Sequence, residues 1–284
     1  MRYLDPKNDL TFKKVFGTHP HLLRSFLNAL LPLPEGEWIE SLEYLSPEMV
    51  PPVPLLKHSI VDVRCRDNKG RQFIVEMQLL WTDSFKSRVL FNASKAYVQQ
   101  LDKGKEYRGL HPVYALSLVN EVFEKELPAF YHHYQIVHTQ YPERTLEGLQ
   151  FIFVELPKFR AQHIRDKKLQ VLWLRYLTEI EDNSETVSPD LLEVDELREA
   201  VGYLQESGFT KDELFSYDKY WDSVSTEKTL LSDAEQKGRE EGFEEGRLEE
   251  KRVLAQKLLS KGFTTAEIAD MTGLTKQALE TLLR

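Results

Sequence analysis

The stretch SIVDVRCRDNKGRQFIVEMQL, residues 59–79, reads as two β-strands joined by a tight turn. Ser59–Arg66 and Arg71–Leu80 are rich in β-branched and apolar residues, and Asp67-Asn68-Lys69-Gly70 between them carries turn chemistry. Side chains two apart share a face of a strand, so Glu76 and Gln78 project together while Val75, Met77 and Leu79 face the other way. In the preceding strand Asp62 and Arg64 share one face, and Val61, Val63 and Cys65 the other. The turn decides whether the acids meet. A two-residue loop, Asn68-Lys69, would pair Asp62 with Val75, and it lacks the Asn-Gly or Gly-X sequence such loops favour. A three-residue loop, Asn68-Lys69-Gly70, gives glycine the left-handed position, pairs Asp67 with Arg71 and sets Asp62 opposite Glu76.

Two carboxylates facing each other across a sheet repel. A divalent cation neutralises them: Mg²⁺, with Mn²⁺ or Ca²⁺ as alternatives, takes carboxylate oxygens and keeps waters for a phosphate substrate. The same residues also read as a solvated sheet face on which Arg64 and Arg71 pair with the acids.

Working outward, Asn8 or Asp9 caps a helix that runs to about Leu31, with apolar residues from Phe12 to Leu30 on one side and a bend or break near Gly17–Pro20. Pro32 and Pro34 end it, and Pro47–Pro54 forms an extended approach to the hairpin. A helix over about Phe85–Leu101 follows, then strands Val113–Val119 and Gln150–Leu156. This order describes an α/β sandwich with a mixed central sheet flanked by helices. His132, His133 and His138 lie among tyrosines with no acid at metal-ligand spacing and read as a loop or a partly buried aromatic segment. The single cysteine, Cys65, reads as a small apolar strand residue.

The combination of Asp62 with Glu76-Met77-Gln78 resembles the PD-(D/E)XK nuclease superfamily, in which an Asp on one strand and Glu-X-Lys on the next assemble a metal-dependent phosphodiesterase site. Gln78 stands where the general motif has Lys, the variant of the Rpn recombination-promoting nucleases, also described as PD-(D/E)XK transposases. The opening Asp9-Leu10-Thr11-Phe12-Lys13-Lys14-Val15-Phe16 and the helix segment Arg88 to Tyr97 are similar to that family as well. The resemblance spans about residues 5–160 and the glycine-spaced tail. It implies a restriction-endonuclease-like core and a cytoplasmic DNA endonuclease that hydrolyses phosphodiesters in recombination or transposition.

On that resemblance Asp62 and Glu76 hold the metal with a Met77 carbonyl, and Gln78 orients water or a phosphate oxygen without the positive charge of a Lys. Asp9 adds a third carboxylate or serves as a helix cap. Arg88, Lys95 and Tyr97 contact phosphate or take plain surface and core roles. The rival is a nuclease-fold module, catalytically weak or inactive, that binds DNA or protein.

The organisation expected is a nuclease-like core over 1–165, a helical extension over 166–232 and a glycine-spaced helix with a helix-turn-helix-like tail over 233–284. Lys167–Ile180 and Asp190–Glu206 have helical spacing, joined by the polar Glu181–Pro189. Gly238, Gly242 and Gly246 form one stripe on a charged helix, Asp233–Lys261. The stripe fits either a close helix contact, including a homodimer, or a solvated helix. In the tail, Ala269, Gly273 and the apolar Ile268, Leu274, Leu279 and Leu282 fit a helix-turn-helix, with Lys276 and Gln277 opening its second helix. It reads DNA or contacts protein.

Composition bounds these readings. The 284 residues carry a net charge of −9, which by itself opposes a nucleic-acid role. Residues 1–170 hold 23 Lys and Arg against 20 Asp and Glu, whereas 171–284 hold 14 against 26. The acidity thus belongs to the second part, and the objection does not touch the first. One cysteine excludes an internal disulfide, no apolar run reaches membrane-spanning length, and no Walker or dinucleotide glycine pattern follows a strand.

Overall fold

A computed structural model describes residues 1–49, 59–101, 106–161, 168–275 and 277–279. The first helical stretch is divided as its glycine and proline foretell: α1 spans Asp9–Phe16 and α2 spans Pro20–Leu30. Asn8 is the N-cap of α1, its side chain accepting from the Leu10 N–H, so the capping role falls to Asn8 and leaves Asp9 in the first turn. Proline at the first position of α2 lacks the N–H that would there be unsatisfied anyway.

Three short strands, β1 (Leu42–Tyr44), β2 (Glu48–Met49) and β3 (Ser59–Ile60), precede the hairpin of β4 (Val63–Asp67) and β5 (Gln72–Gln78). Helix α3 (Ser84–Val98) leads to β6 (Val113–Val119), and β7 (Tyr131–His138) and β8 (Tyr141–Glu155) follow. The Pro47–Pro54 approach lies largely outside the described residues. Strand order in the main sheet is β1-β4-β5-β6-β8-β7. The central pairs β5/β6 and β6/β8 are parallel, and the outer pairs are antiparallel. This is the mixed six-stranded sheet of a restriction-endonuclease-like α/β fold.

Alternation along the strands builds two cores. Val63, Cys65, Phe73, Val75, Tyr114, Leu116, Ile152 and Val154 face α1, α2 and three later helices: α4 (Lys168–Glu179), α5 (Pro189–Leu192) and α6 (Asp195–Gly202). Trp173 of α4 seals that side, 5.6 Å from the Phe16 ring and 5.5 Å from Phe26. On the other face Ile74, Ala115 and Phe153 meet Phe85, Val89, Ala93 and Ala96 of α3. Positions 85, 89, 93 and 96 form a single helical stripe, which fixes which way the rest of α3 points.

The expected strand Ser59–Arg66 is interrupted. Val61 packs into the α3-side core while Val63 packs into the other, and the Val61 N–H goes to the Pro47 carbonyl at 3.1 Å. The chain therefore bends at Asp62 to pair first with β2 and then with β5. The histidines lie in strand β7 rather than in a loop. Their partner β8 begins at Tyr141, well before the expected Gln150, because its first half pairs only with β7 in an exposed hairpin without an apolar alternation.

His132 reaches an acid far away in sequence. Glu155, with a fully buried side chain, meets His132 Nε2 at 2.8 Å and Lys158 Nζ at 2.5 Å, and accepts from the Phe123 and Glu124 N–H groups. Burial raises its pKa, but these donors outweigh burial and hold the carboxyl below the ordinary range.

The chain forms two compact units, Met1–Val224 and Ser225–Arg284, with the boundary inside helix α7 (Lys211–Ser260). Around Gly238, Gly242 and Gly246 a Cβ would meet nothing within 4 Å among the described residues, so within the chain the stripe is exposed. Helix α8 (Thr265–Thr272) carries a capping box between Thr264 and Glu267 and ends on left-handed Gly273. Ile268, Leu274 and Leu279 pack with Ala255, whereas Lys276 and Leu282 lie outside the described residues. Among the described residues no helix is long and apolar enough to cross a membrane.

Gly70 occupies the turn with φ +84°, and a Cβ there would fall 2.7 Å from the His111 ring. Gly70→Ala should therefore lower stability by about 1–2 kcal/mol. Urea unfolding with an unchanged slope and a lower midpoint checks this; an unchanged midpoint contradicts it.

Candidate active site

The hairpin closes in the register that the three-residue turn selects. Val63 pairs with Val75, Arg64 with Ile74, Cys65 with Phe73 and Arg66 with Gln72. The Asp67 N–H donates to the Arg71 carbonyl at 3.0 Å. The same count places Asp62 opposite Glu76.

Antiparallel strands alternate bonded and non-bonded pairs, so the Met77 N–H would next go to the Val61 carbonyl. Because the chain bends there, the Asp62 side chain takes over: its Oδ2 accepts from the Met77 N–H at 2.7 Å. Asp62 is thereby held at the end of β4 beside Glu76.

Glu76 is 7% exposed and lies beneath α3, where Asn92 Nδ2 donates to its Oε1 at 3.0 Å. One helical turn earlier, Arg88 donates to Gln78 Oε1 at 2.5 Å and stands 3.9 Å from Glu76 Oε2. Gln78 is held at both ends, since its Nε2 donates to the Leu80 carbonyl. Asp9 of α1 pairs with Lys13 at 2.6 Å. Both lie close enough to bear on the Asp62 charge, Lys13 favouring ionisation and Asp9 opposing it.

Burial raises the pKa of Asp62 and of Glu76. For Asp62 the Met77 N–H, Lys13 and Arg88 oppose the rise; for Glu76, Asn92 and Arg88 oppose it, while Asp62 adds to it. The site therefore holds two acids that are costly to ionise, with a neutral amide and a half-exposed guanidinium as partners.

Hard oxygen donors and unbalanced negative charge fit a divalent cation such as Mg²⁺ or Mn²⁺. Among the described residues no three carboxylate, imidazole or thiolate side chains form a metal cage. Asp9 thus stands near the pair without completing a trio.

The other residues singled out from the sequence lie further along α3. Lys95 Nζ donates to Ser59 Oγ at 3.3 Å. Tyr97 packs in the α3-side core with its ring against Gly148 of β8. The sequence reading passed over Asn92 and gave Lys13 no role of its own. Helical spacing was the available signal, because Asn92 follows Arg88 by four residues and Lys13 follows Asp9 by four.

A mixed sheet whose hairpin brings Asp and Glu-X-Gln together, flanked by helices on both faces, defines a nuclease fold of the PD-(D/E)XK type. The chain belongs to the PD-(D/E)XK nuclease family transposases, whose family model matches residues 6–234. No curated protein and no solved structure matches it.

A carboxyl with a raised folded pKa binds its proton more tightly when folded, so stability falls as pH climbs from the ordinary carboxylate range through the raised value. In metal-free buffer Glu76→Gln and Asp62→Asn should each unfold at a higher temperature than wild type, by a margin that widens over that window. Added Mg²⁺ or Mn²⁺ should narrow the gap by stabilising wild type alone. Calorimetry across pH checks both, and a margin that shrinks as pH rises contradicts the reading.

Proposed function

We propose that this protein is a divalent-metal-dependent DNA endonuclease of the recombination-promoting or transposase type. The observation that carries the reading is the placement of Asp62 beside Glu76, two buried-side acids with no carboxylate-neutralising cation nearer than Arg88 at 3.9 Å among the described residues. Family membership supports a phosphodiester substrate.

Asp62 and Glu76 would hold the cation, Asp62 kept in place by the Met77 N–H and Glu76 by Asn92. A divalent cation supplies Lewis-acid polarisation of a phosphate oxygen and acidification of a water. Gln78 lacks the charge of a Lys, and its bond to Arg88 holds a half-exposed guanidinium beside the acids. Arg88 would bind the negative phosphate beside the acids. Lys13 adds a second cation from α1 and limits the repulsion between Asp9 and Asp62.

Supercoiled plasmid incubated with purified protein and Mg²⁺ or Mn²⁺ should be nicked or linearised, and chelation should stop the reaction. Asp62→Ala and Glu76→Ala should lose about a hundredfold or more of the rate with native circular dichroism. Arg88→Ala should lose about a hundredfold through weaker phosphate stabilisation. Full cleavage by Glu76→Ala would sink the proposal. DNA binding that chelation leaves intact, without any cleavage, would instead identify a binding module that keeps the nuclease fold.

A further inference from the structure

Arg64 occupies a second polar site, on the α3 side of the same hairpin. It is 9% exposed. Its Nη2 donates to Gln72 Oε1 at 3.0 Å and its Nη1 lies 3.4 Å from Gln99 Oε1. Its Nε is buried with no acceptor. Among the described residues no carboxylate pairs with this guanidinium.

The acids nearby are already engaged. Asp67 is bound by Arg71 Nε at 2.7 Å and by the Lys69 and Arg71 N–H groups. Glu43 pairs with Arg66 at 2.7 Å, and Glu37 pairs with both Lys69 and Arg71. A buried charge without a counter-charge is an arrangement proteins ordinarily avoid by pairing or by ligand binding.

Arg64 lines a cavity of about 730 Å³, with Gln72, Arg66, Lys69 and His111 among its walls. Because Gln72 Oε1 faces Arg64, its amide NH₂ points elsewhere, and it has no acceptor among the described residues. The inner wall thus offers donors in want of an acceptor, and the rim carries Arg66 and Lys69 together with the acids Glu43 and Asp67, whose charges are met by Arg66 and Arg71.

We propose that this cavity is an oxyanion site that takes a phosphate group, with Arg64 as its buried charge and Gln72 as a neutral donor. A phosphate accepts several hydrogen bonds at once and matches the planar fork of a guanidinium. The phosphate can belong to a nucleic-acid strand or to a free phosphate or nucleotide. Gln72 lies four residues from Glu76 on β5, about 13 Å along the strand at about 3.3 Å per residue. That span matches about four nucleotides along a duplex axis. The strand alternative rests on the nuclease reading, whereas phosphate binding by itself does not.

The test uses the full chain as wild type, Arg64→Met and Gln72→Glu. Thermal unfolding is followed in sodium phosphate and in sodium chloride of equal ionic strength. Wild type should gain a few degrees in phosphate over chloride. Both variants should lose that gain and, in chloride, unfold at or above the wild-type temperature, since one removes the buried charge and the other pairs it. Gln72→Glu keeps the test decisive if Arg64→Met fails to fold. No gain in wild type, or an equal gain in a folded variant, would overturn the proposal.

Anisotropy titrations with a labelled DNA duplex then assign the source. Arg64→Met should weaken DNA binding about tenfold and lower the salt slope by about one if the site holds a strand phosphate. Unchanged DNA affinity with a lost phosphate response supports the site and assigns it to free phosphate or a nucleotide. Glu76→Ala, which should lose plasmid cleavage but keep the phosphate response, separates failure of the nuclease reading from failure of this one.

Discussion

The hydrogen bond from the Met77 N–H to the Asp62 carboxylate is the constraint on which the site depends. A backbone donor near the middle of a buried sheet must find an acceptor, and the ordinary ladder partner has bent away toward β2. A side-chain oxygen takes its place. The same atom that completes the sheet's hydrogen bonding also brings a negative charge beside Glu76. Structural satisfaction and electrostatic repulsion therefore meet in one carboxylate, and the fold tolerates the second because the first is needed.

What surrounds the pair moderates the repulsion without removing it. Asn92 and Gln78 are neutral amides, and the nearest full positive charge sits on a helix surface with half its side chain in solvent. With a neutral amide at position 78, the positive charge that bears on the pair is that of Arg88 and Lys13. The core beneath is insensitive to the residue at position 78, since Val75 and Met77 point into the opposite layer.

Much of this was legible from residue types and spacing. The turn chemistry of Asn68-Lys69-Gly70 determined the register, and the register determined that Asp62 and Glu76 meet. The division of the first helix followed from Gly17 and Pro20, and β6 runs over the expected Val113–Val119. The bend at Asp62 was not legible, because it arises from competition between two partner strands distant in sequence. Nor was the β7–β8 hairpin, whose exposed half carries no alternating pattern. The Gln78–Arg88 and Asn92–Glu76 bonds depend on how α3 is rotated over the sheet, which the apolar stripe from Phe85 to Ala96 sets only after packing. Arg64 was expected on the solvated-face reading to pair with the acids; its burial without a carboxylate partner among the described residues was hidden for a related reason, since an arginine on a strand reads as surface until the helix that covers it is in place.

The three-residue turn carries a consequence for how this chain can change over time. Most substitutions at Asn68 or Lys69 leave the backbone path intact, since both side chains are exposed. Losing or gaining one residue there is different in kind. Strand side chains alternate with period two, so a change of length that is not absorbed within the loop but shifts the pairing by one residue turns Glu76 away from Asp62 and carries Val75 to the face where the acids now meet. What the site requires is the pairing of Asp67 with Arg71, from which the meeting of Asp62 and Glu76 follows by count. A lineage can change the letters at Asn68 and Lys69 while keeping Gly70 and the pairing of Asp67 with Arg71 that the acidic site depends on.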